Sequence, residues 1–182
     1  MNCTTHKQAS PYVSPWTLRF RIKLLVWEYC WLLFCAWTPK PLNAWRLLWL
    51  RAFGAQISGV PFVHQRARIA IPWNLELRHR ACLGDRANAY SLGSICLEED
   101  CTVAQEAYLC AGTHDFSHAA LPLQTAPIVI GARAFVGARA FVLPGVNVGA
   151  DAIVGACSVV TRDVPPRTIN AGNPCKVIRQ RA

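Results

Sequence analysis

Acidic residues are scarce in this 182-residue sequence: ten Asp and Glu stand against nineteen Lys and Arg, a formal net charge of +9. Charge of either sign is thin, at 16% of residues against 53% hydrophobic, which excludes a disordered, self-repelling chain and leaves a core to be buried. The nine Cys include no C-x-x-C pair and no metal-ligand spacing, so neither a zinc module nor a dithiol redox motif is expected. Scattered reduced thiols fit a cytosolic setting. A long apolar run is missing too. Leu24 to Trp37 is nearly all apolar but is interrupted by Glu28. At ~1.5 Å per residue it reaches about 21 Å, short of the ~30 Å hydrocarbon layer. Nor does it have the form of a cleavable signal, since no small-residue cleavage site follows it.

The basic excess is uneven. Residues 1–56 hold seven Lys and Arg with Glu28 as the only acid, and six of the seven Trp lie there: Trp16, Trp27, Trp31, Trp37, Trp45 and Trp49. Basic charge with dense Trp suits an anionic membrane surface. Nucleic acid is the rival partner, but the interleaved residues are Leu and Trp in helical runs, and no nucleic-acid binding is expected. From Pro15 to Phe53 the pattern is helical. One segment opens with Arg19, Arg21 and Lys23 and runs to about Trp37, where Thr38-Pro39-Lys40-Pro41 breaks it. A second starts near Leu42 and places Leu42, Trp45, Leu48, Trp49 and Ala52 on one face, with Arg46 and Arg51 turned away and Gly54 as the C-cap.

After Gly54 a six-residue period takes over. Ile130, Val136, Val142, Val148, Val154 and Val160 recur six apart, and Ala134, Ala140, Val146, Ala152 and Ser158 follow the first five by four positions. Gly131, Gly137, Gly149 and Gly155 come directly after an aliphatic. Leu97, Val103 and Leu109 keep the same grammar, as do Ile71, Leu77 and Leu83 upstream. Neither a 3.6-residue helix nor an alternating strand has this period. It describes short strands separated by tight turns, three to a coil, with aliphatics stacked inside and glycine at the bends.

The grammar resembles that of the hexapeptide-repeat transferases, and the chain is similar to the colanic acid biosynthesis acetyltransferase type, related to the maltose and galactoside O-acetyltransferases. The matching segments include Trp45-Arg46, Leu50-Arg51-Ala52-Phe53-Gly54-Ala55, Pro72-Trp73-Asn74-Leu75, Tyr108 through Asp115, Pro144-Gly145-Val146, Val159 through Pro165 and Ala171-Gly172-Asn173-Pro174. The resemblance implies a mainly β fold, a left-handed parallel β-helix with an N-terminal helical segment. It implies acetyl-CoA as co-substrate, no metal, a sugar or glycan precursor as acceptor, and a homotrimer with sites between subunits. The expected organisation is a disordered tail over 1–14, a helical cap and membrane-surface segment over 15–54, and the β-helix over 55–165. Within it lies a catalytic loop at 112–127, and residues 166–182 form a tail that contributes to the CoA site.

The repeat breaks between Leu109 and Ile130, and Gly112-Thr113-His114-Asp115 lies inside the break. An interruption in a regular solenoid is a candidate functional loop. Acyl transfer to a hydroxyl needs a base, and a neutral imidazole suits that task near pH 7. His114 occupies the motif position that the similar acetyltransferases use for it, with Asp115 placed to orient the loop or the ring. By resemblance Ala138, Ala156, Thr161 and Arg162 line the CoA groove, Lys176 and Arg179 meet its phosphates, and Asn88, Tyr90 and Asp115 face the acceptor. His6, His64, His79 and His118 are expected to be ordinary histidines.

Two other functions share this solenoid. A zinc hydratase resembling the gamma-type carbonic anhydrases needs three converging His, and His64 and His79 lie coils away from His114 and His118. A non-catalytic scaffold would use the Trp-rich helices for docking and would bind no CoA. The reading adopted is O-acetyl transfer to a sugar hydroxyl of a surface polysaccharide precursor, in the cytoplasm at the inner face of the membrane.

Overall fold

The computed structural model describes residues 3–8, 10 and 12–181. Helix α1 (Leu18–Phe34) begins at Thr17, whose side-chain oxygen accepts from the Phe20 amide, the usual N-cap bond. The Pro-bearing stretch after it forms a 3-10 turn at Lys40–Leu42, and α2 spans Asn43–Ala52. Gly54 closes α2 with φ +90°, and the Ala55 amide bonds the Leu50 carbonyl.

The rest is a parallel β-helix with three faces. The first face stacks Gln56–Ile57, Leu75–Leu77, Ile95–Leu97, Ile128–Ile130 and Asn147–Val148. The second stacks Phe62–Val63, Cys82–Leu83, Thr102–Val103, Phe135–Val136, Ile153–Val154 and Thr168–Ala171. The third stacks Arg68–Ile69, Asn88–Tyr90, Tyr108–Cys110, Phe141–Val142 and Val159–Val160. The six-residue aliphatics register on one another inside, and the small residues Ala134, Ala140, Ala152 and Ser158 are buried at the corners. Glycine has a different role from the one its position implies. The bends are made by residues in the left-handed region such as Arg80, Asp100, Arg133 and Asp151. Gly131 and Gly137 instead admit the next coil: a Cβ would come within 2.7 Å of the Ala150 nitrogen at the first and 2.6 Å of the Ala156 nitrogen at the second.

Both ends are covered. At one, Leu47 and Leu50 join the core, and the indole of Trp27 donates to the Ile69 carbonyl at 2.8 Å. The face of α2 that packs is not the apolar stripe. Leu42, Trp45 and Leu48 are exposed, while Arg46 is 0% exposed and donates to the carbonyls of Val63, Pro39 and Lys40 and to the Thr38 hydroxyl. Four oxygens around one guanidinium compensate its desolvation, and this decides which side turns inward. At the other end, 166–182 is no tail: Thr168–Ala171 extends the second face and Lys176–Gln180 pairs antiparallel with it. The segment 1–14 departs from disorder as well, because Thr4–Thr5 pairs with Leu123–Thr125; residues 1, 2, 9 and 11 lie outside the described residues.

Candidate active site

The break in the repeat is an excursion at one corner. Leu109 and Ile130 lie on successive faces of one coil, as Ala89 and Leu97 do in the coil below. The added residues fold into an antiparallel hairpin, Gly112–His114 against Leu123–Thr125, with His114 opposite Leu123. His114 is exposed, and its Nδ1 lies 2.7 Å from the carbonyl oxygen of Leu121. A carbonyl oxygen only accepts, so Nδ1 carries the proton and Nε2 presents a lone pair. Leu121 itself has φ +44°, a region that leucine rarely adopts and that turns this carbonyl toward the ring. The sequence carried no signal for Leu121, because it acts through its main chain.

Asp115 orients the loop and not the imidazole. Its Oδ1 accepts from the Ser117 amide at 2.9 Å and the Ser117 hydroxyl at 2.6 Å, and these bonds hold its carboxyl below the usual range. His118 sits 3.8 Å from its other oxygen. His64 and His79 belong to the solenoid body: His64 is buried beside Asp85, and His79 Nδ1 accepts from the Val60 amide. Among the described residues no group of three or more His, Cys, Asp or Glu converges as a metal site.

Asn88 and Tyr90 lie on the third face and line a groove of about 720 Å³ between that face and α1, with Trp27, Trp31, Ile69 and Leu92. Tyr90 is directly beside Cys110, two residues before the His114 hairpin starts at Gly112. Burial, with the nearby Cys110 thiol, raises the Tyr90 hydroxyl, and the same causes push Tyr108 up to about 12. Tyr90, Tyr108 and Phe141 form an aromatic ladder up the outside of this face, the last two stacked at 4.8 Å.

The residues assigned to CoA fall in three places. Ala138 and Ala156 stack at the corner leading into the third face, where the Cys157 amide bonds the Ala138 carbonyl at 2.9 Å. Thr161 and Arg162 are exposed at the corner leading out of it, the corner from which the His114 hairpin also departs, two coils away. Lys176 is exposed beside Ala171, and Arg179 is exposed beside Ile169 on the closing strand. Ala138 and Ala156 therefore lie at one edge of the third face and Thr161 and Arg162 at the other, while Lys176 and Arg179 belong to the closing strand of the second face.

Residues 127–162 match a family model described as the hexapeptide repeat of succinyl-transferase. The Escherichia coli protein named as a colanic acid biosynthesis acetyltransferase is 37% identical over 160 residues, covering 88% of each chain. Among solved structures, a maltose O-acetyltransferase from Clostridium difficile superposes with a TM-score of 0.78 at 23% identity, covering 91% of this chain and 90% of its own. A hexapeptide-repeat acetyltransferase from Vibrio cholerae, complexed with acetyl-CoA, gives 0.81 at 17%, covering 94% and 93%. These two likenesses confirm the β-helix, and the Escherichia coli relative, which shares more than a third of its residues along nearly the whole length, carries the assignment further: the chain belongs to the hexapeptide-repeat acetyltransferases, in the colanic acid biosynthesis type.

Proposed function

We propose that the protein transfers an acetyl group from acetyl-CoA to a sugar hydroxyl of a surface polysaccharide precursor, with His114 as general base. The observation that carries this is the fixed tautomer of His114: an exposed imidazole on a hairpin, with Nδ1–H held by the Leu121 carbonyl and Nε2 free. The acceptor hydroxyl gives its proton to Nε2 while its oxygen adds to the thioester carbonyl. Collapse of the tetrahedral adduct breaks the C–S bond, and the departing thiolate takes the proton back from the imidazolium. The products are an acetyl ester and CoA. Ala138 and Ala156 offer small side chains and exposed amides to the pantetheine arm, with Thr161 and Arg162 alongside, and Lys176 and Arg179 supply charge for the phosphates. Asn88 and Tyr90, at the groove end nearest the hairpin, face the acceptor, and Asp115 keeps one oxygen free of Ser117 for it.

The assembly is a homotrimer in this reading. What supports it is the separation of Ala138 and Ala156, at one edge of the third face, from Thr161 and Arg162 at the other, which neighbouring solenoids would bring together. The N-terminal helices make the peripheral membrane contact. Of the 17 residues of α1 only Trp27 is buried; Ile22, Leu25, Leu32 and Leu33 are exposed along it, and Trp37, Leu42 and Leu48 are exposed in the segments that follow. Contiguous apolar surface of this extent marks an interaction face, and no helix among the described residues is long and apolar enough to cross a membrane. The protein then works at the inner face of the cytoplasmic membrane. Mass spectrometry of candidate glycan precursors incubated with protein and acetyl-CoA tests the activity. A mass gain of one acetyl group, dependent on the protein, is expected; neither CoA binding nor acetylation would leave the scaffold function.

A further inference from the structure

The hairpin that carries His114 is not left as two strands. Thr4–Thr5 lies along the outer edge of Leu123–Thr125, so three strands stand in the order Thr4–Thr5, Leu123–Thr125, Gly112–His114. The contact between chain start and hairpin is dense around one residue. Leu123, the partner of His114 in the register, accepts from the His6 amide at 2.8 Å and donates its own amide to Gln8 Oε1 at 2.6 Å. The other end of the Gln8 amide donates to the Val13 carbonyl at 2.9 Å, which fixes which atom of the side chain accepts. His6 Nε2 lies 3.1 Å from the Thr125 hydroxyl. Leu121, whose carbonyl sets the His114 tautomer, is two residues from Leu123.

We propose that Thr4–Gln8 is a positioning element for the catalytic base, with Gln8 as its principal residue. The proposal rests on His114 being that base. A two-stranded hairpin on its own is marginal in water, and His114 sits on an edge strand of this small sheet, outside the solenoid's own hydrogen-bond ladders. The third strand locks the central strand, and with it the Leu121 carbonyl that directs the ring. The strap is in turn fastened to the body. The His6 ring lies 5.0 Å from Trp16, Trp16 stacks on Phe20 at 4.5 Å, and Phe20 meets the edge of Trp73 at 5.4 Å. Lys23 completes the chain with its ammonium 3.7 Å from the Trp73 ring centre. Trp73 belongs to a 3-10 turn of the first coil, so the base is referred to the solenoid through the start of the chain.

The test uses full-length protein with Gln8→Leu and Gln8→Glu, and a third variant lacking residues 1–8. Nitrogen NMR of the His114 ring reads the tautomer directly, alongside kcat and KM for acetyl-CoA. In the wild type the Nδ1–H form is expected alone. In Gln8→Leu and in the truncated chain a mixture with the Nε2–H form is expected, with kcat reduced on the order of 10- to 100-fold, the scale of small misplacements of a reacting group. KM for acetyl-CoA should stay unchanged, because the strap touches none of the residues assigned to CoA. Gln8→Glu keeps an acceptor for the Leu123 amide and should restore most of kcat. A wild-type tautomer and kcat in Gln8→Leu would overturn the proposal, even if the truncated chain fails to fold. So would parallel changes of kcat and KM. Should His114→Ala leave turnover intact while the tautomer still responds to Gln8, the base assignment fails and the strap's control of the ring stands.

Discussion

His114 Nδ1 and the Leu121 carbonyl oxygen are 2.7 Å apart across the mouth of the hairpin, and that single contact leaves Nε2 as the one ring nitrogen able to take a proton. The partner is main chain, so no ionising side chain is coupled to the ring through it. Asp115, adjacent in sequence, spends its Oδ1 on Ser117 instead. The ring is thereby separated from the only carboxylate of the loop.

A pH prediction follows from that separation. The Ser117 bonds depress the Asp115 carboxyl in the folded state. Whatever stability they lend the loop is present above the ordinary carboxylate range and is lost as pH falls through the depressed value. Ser117→Ala should raise the Asp115 pKa toward its usual position near 3.9. Profiles of kcat/KM for wild type and Ser117→Ala should therefore share the same limb above about pH 5.5 and separate only below it. A difference between the two profiles above that pH would mean that the Asp115 carboxylate acts on the reaction directly.

Lys176 reports on CoA. If its ammonium makes a charge-assisted bond to a phosphate, Lys176→Ala should weaken acetyl-CoA binding by about 1.5–3 kcal/mol. Calorimetry with 3′-dephospho-CoA separates the phosphates: a smaller loss for that ligand assigns Lys176 to the 3′-phosphate, and equal losses assign it to the pyrophosphate. No loss for either removes Lys176 from the site.

Arg46 reports on the cap. Replacing it by Met leaves the buried Val63 carbonyl and Thr38 hydroxyl without their donor, and the part-buried carbonyls of Pro39 and Lys40 open to water, at a cost of about 2–3 kcal/mol. Arg46→Lys should recover little, because one ammonium cannot span the fork. Denaturant titrations measure both, and a cost under about 1 kcal/mol for Arg46→Met would show that water replaces the guanidinium freely.

The apolar face of α1 predicts binding to anionic vesicles at low salt. Release is expected near 0.5 M salt, where the Debye length is roughly 4 Å. Replacing Arg19, Arg21 and Lys23 by Gln should weaken flotation, each basic residue being worth roughly 1 kcal/mol at such a surface, while circular dichroism of the solenoid stays unchanged. Folded protein that fails to float at low salt would leave α1 to another partner.

The solenoid was legible because one aliphatic every six residues is a long, redundant signal: a single register explains Ile130 through Val160. The role of glycine was not, because a residue kept small for the approach of the next coil and one kept small for a bend look alike in one dimension. The inward side of α2 was misjudged for a related reason. Periodicity ranks Arg46 as polar and turns it outward, and only the fold supplies the four oxygens that accept it. His114 was singled out by the break and the motif around it, whereas Leu121 and Gln8 were invisible. One acts through a carbonyl and the other through a contact 115 residues away in the chain.

The most direct test of the account is the turnover of His114→Ala with acetyl-CoA and an acceptor that the wild type acetylates, read together with acetyl-CoA affinity and thermal unfolding. The account predicts kcat lower by ~10²–10⁴, the usual contribution of a positioned general base, with affinity and unfolding unchanged and with His118→Ala close to wild type. Wild-type turnover in His114→Ala would contradict it.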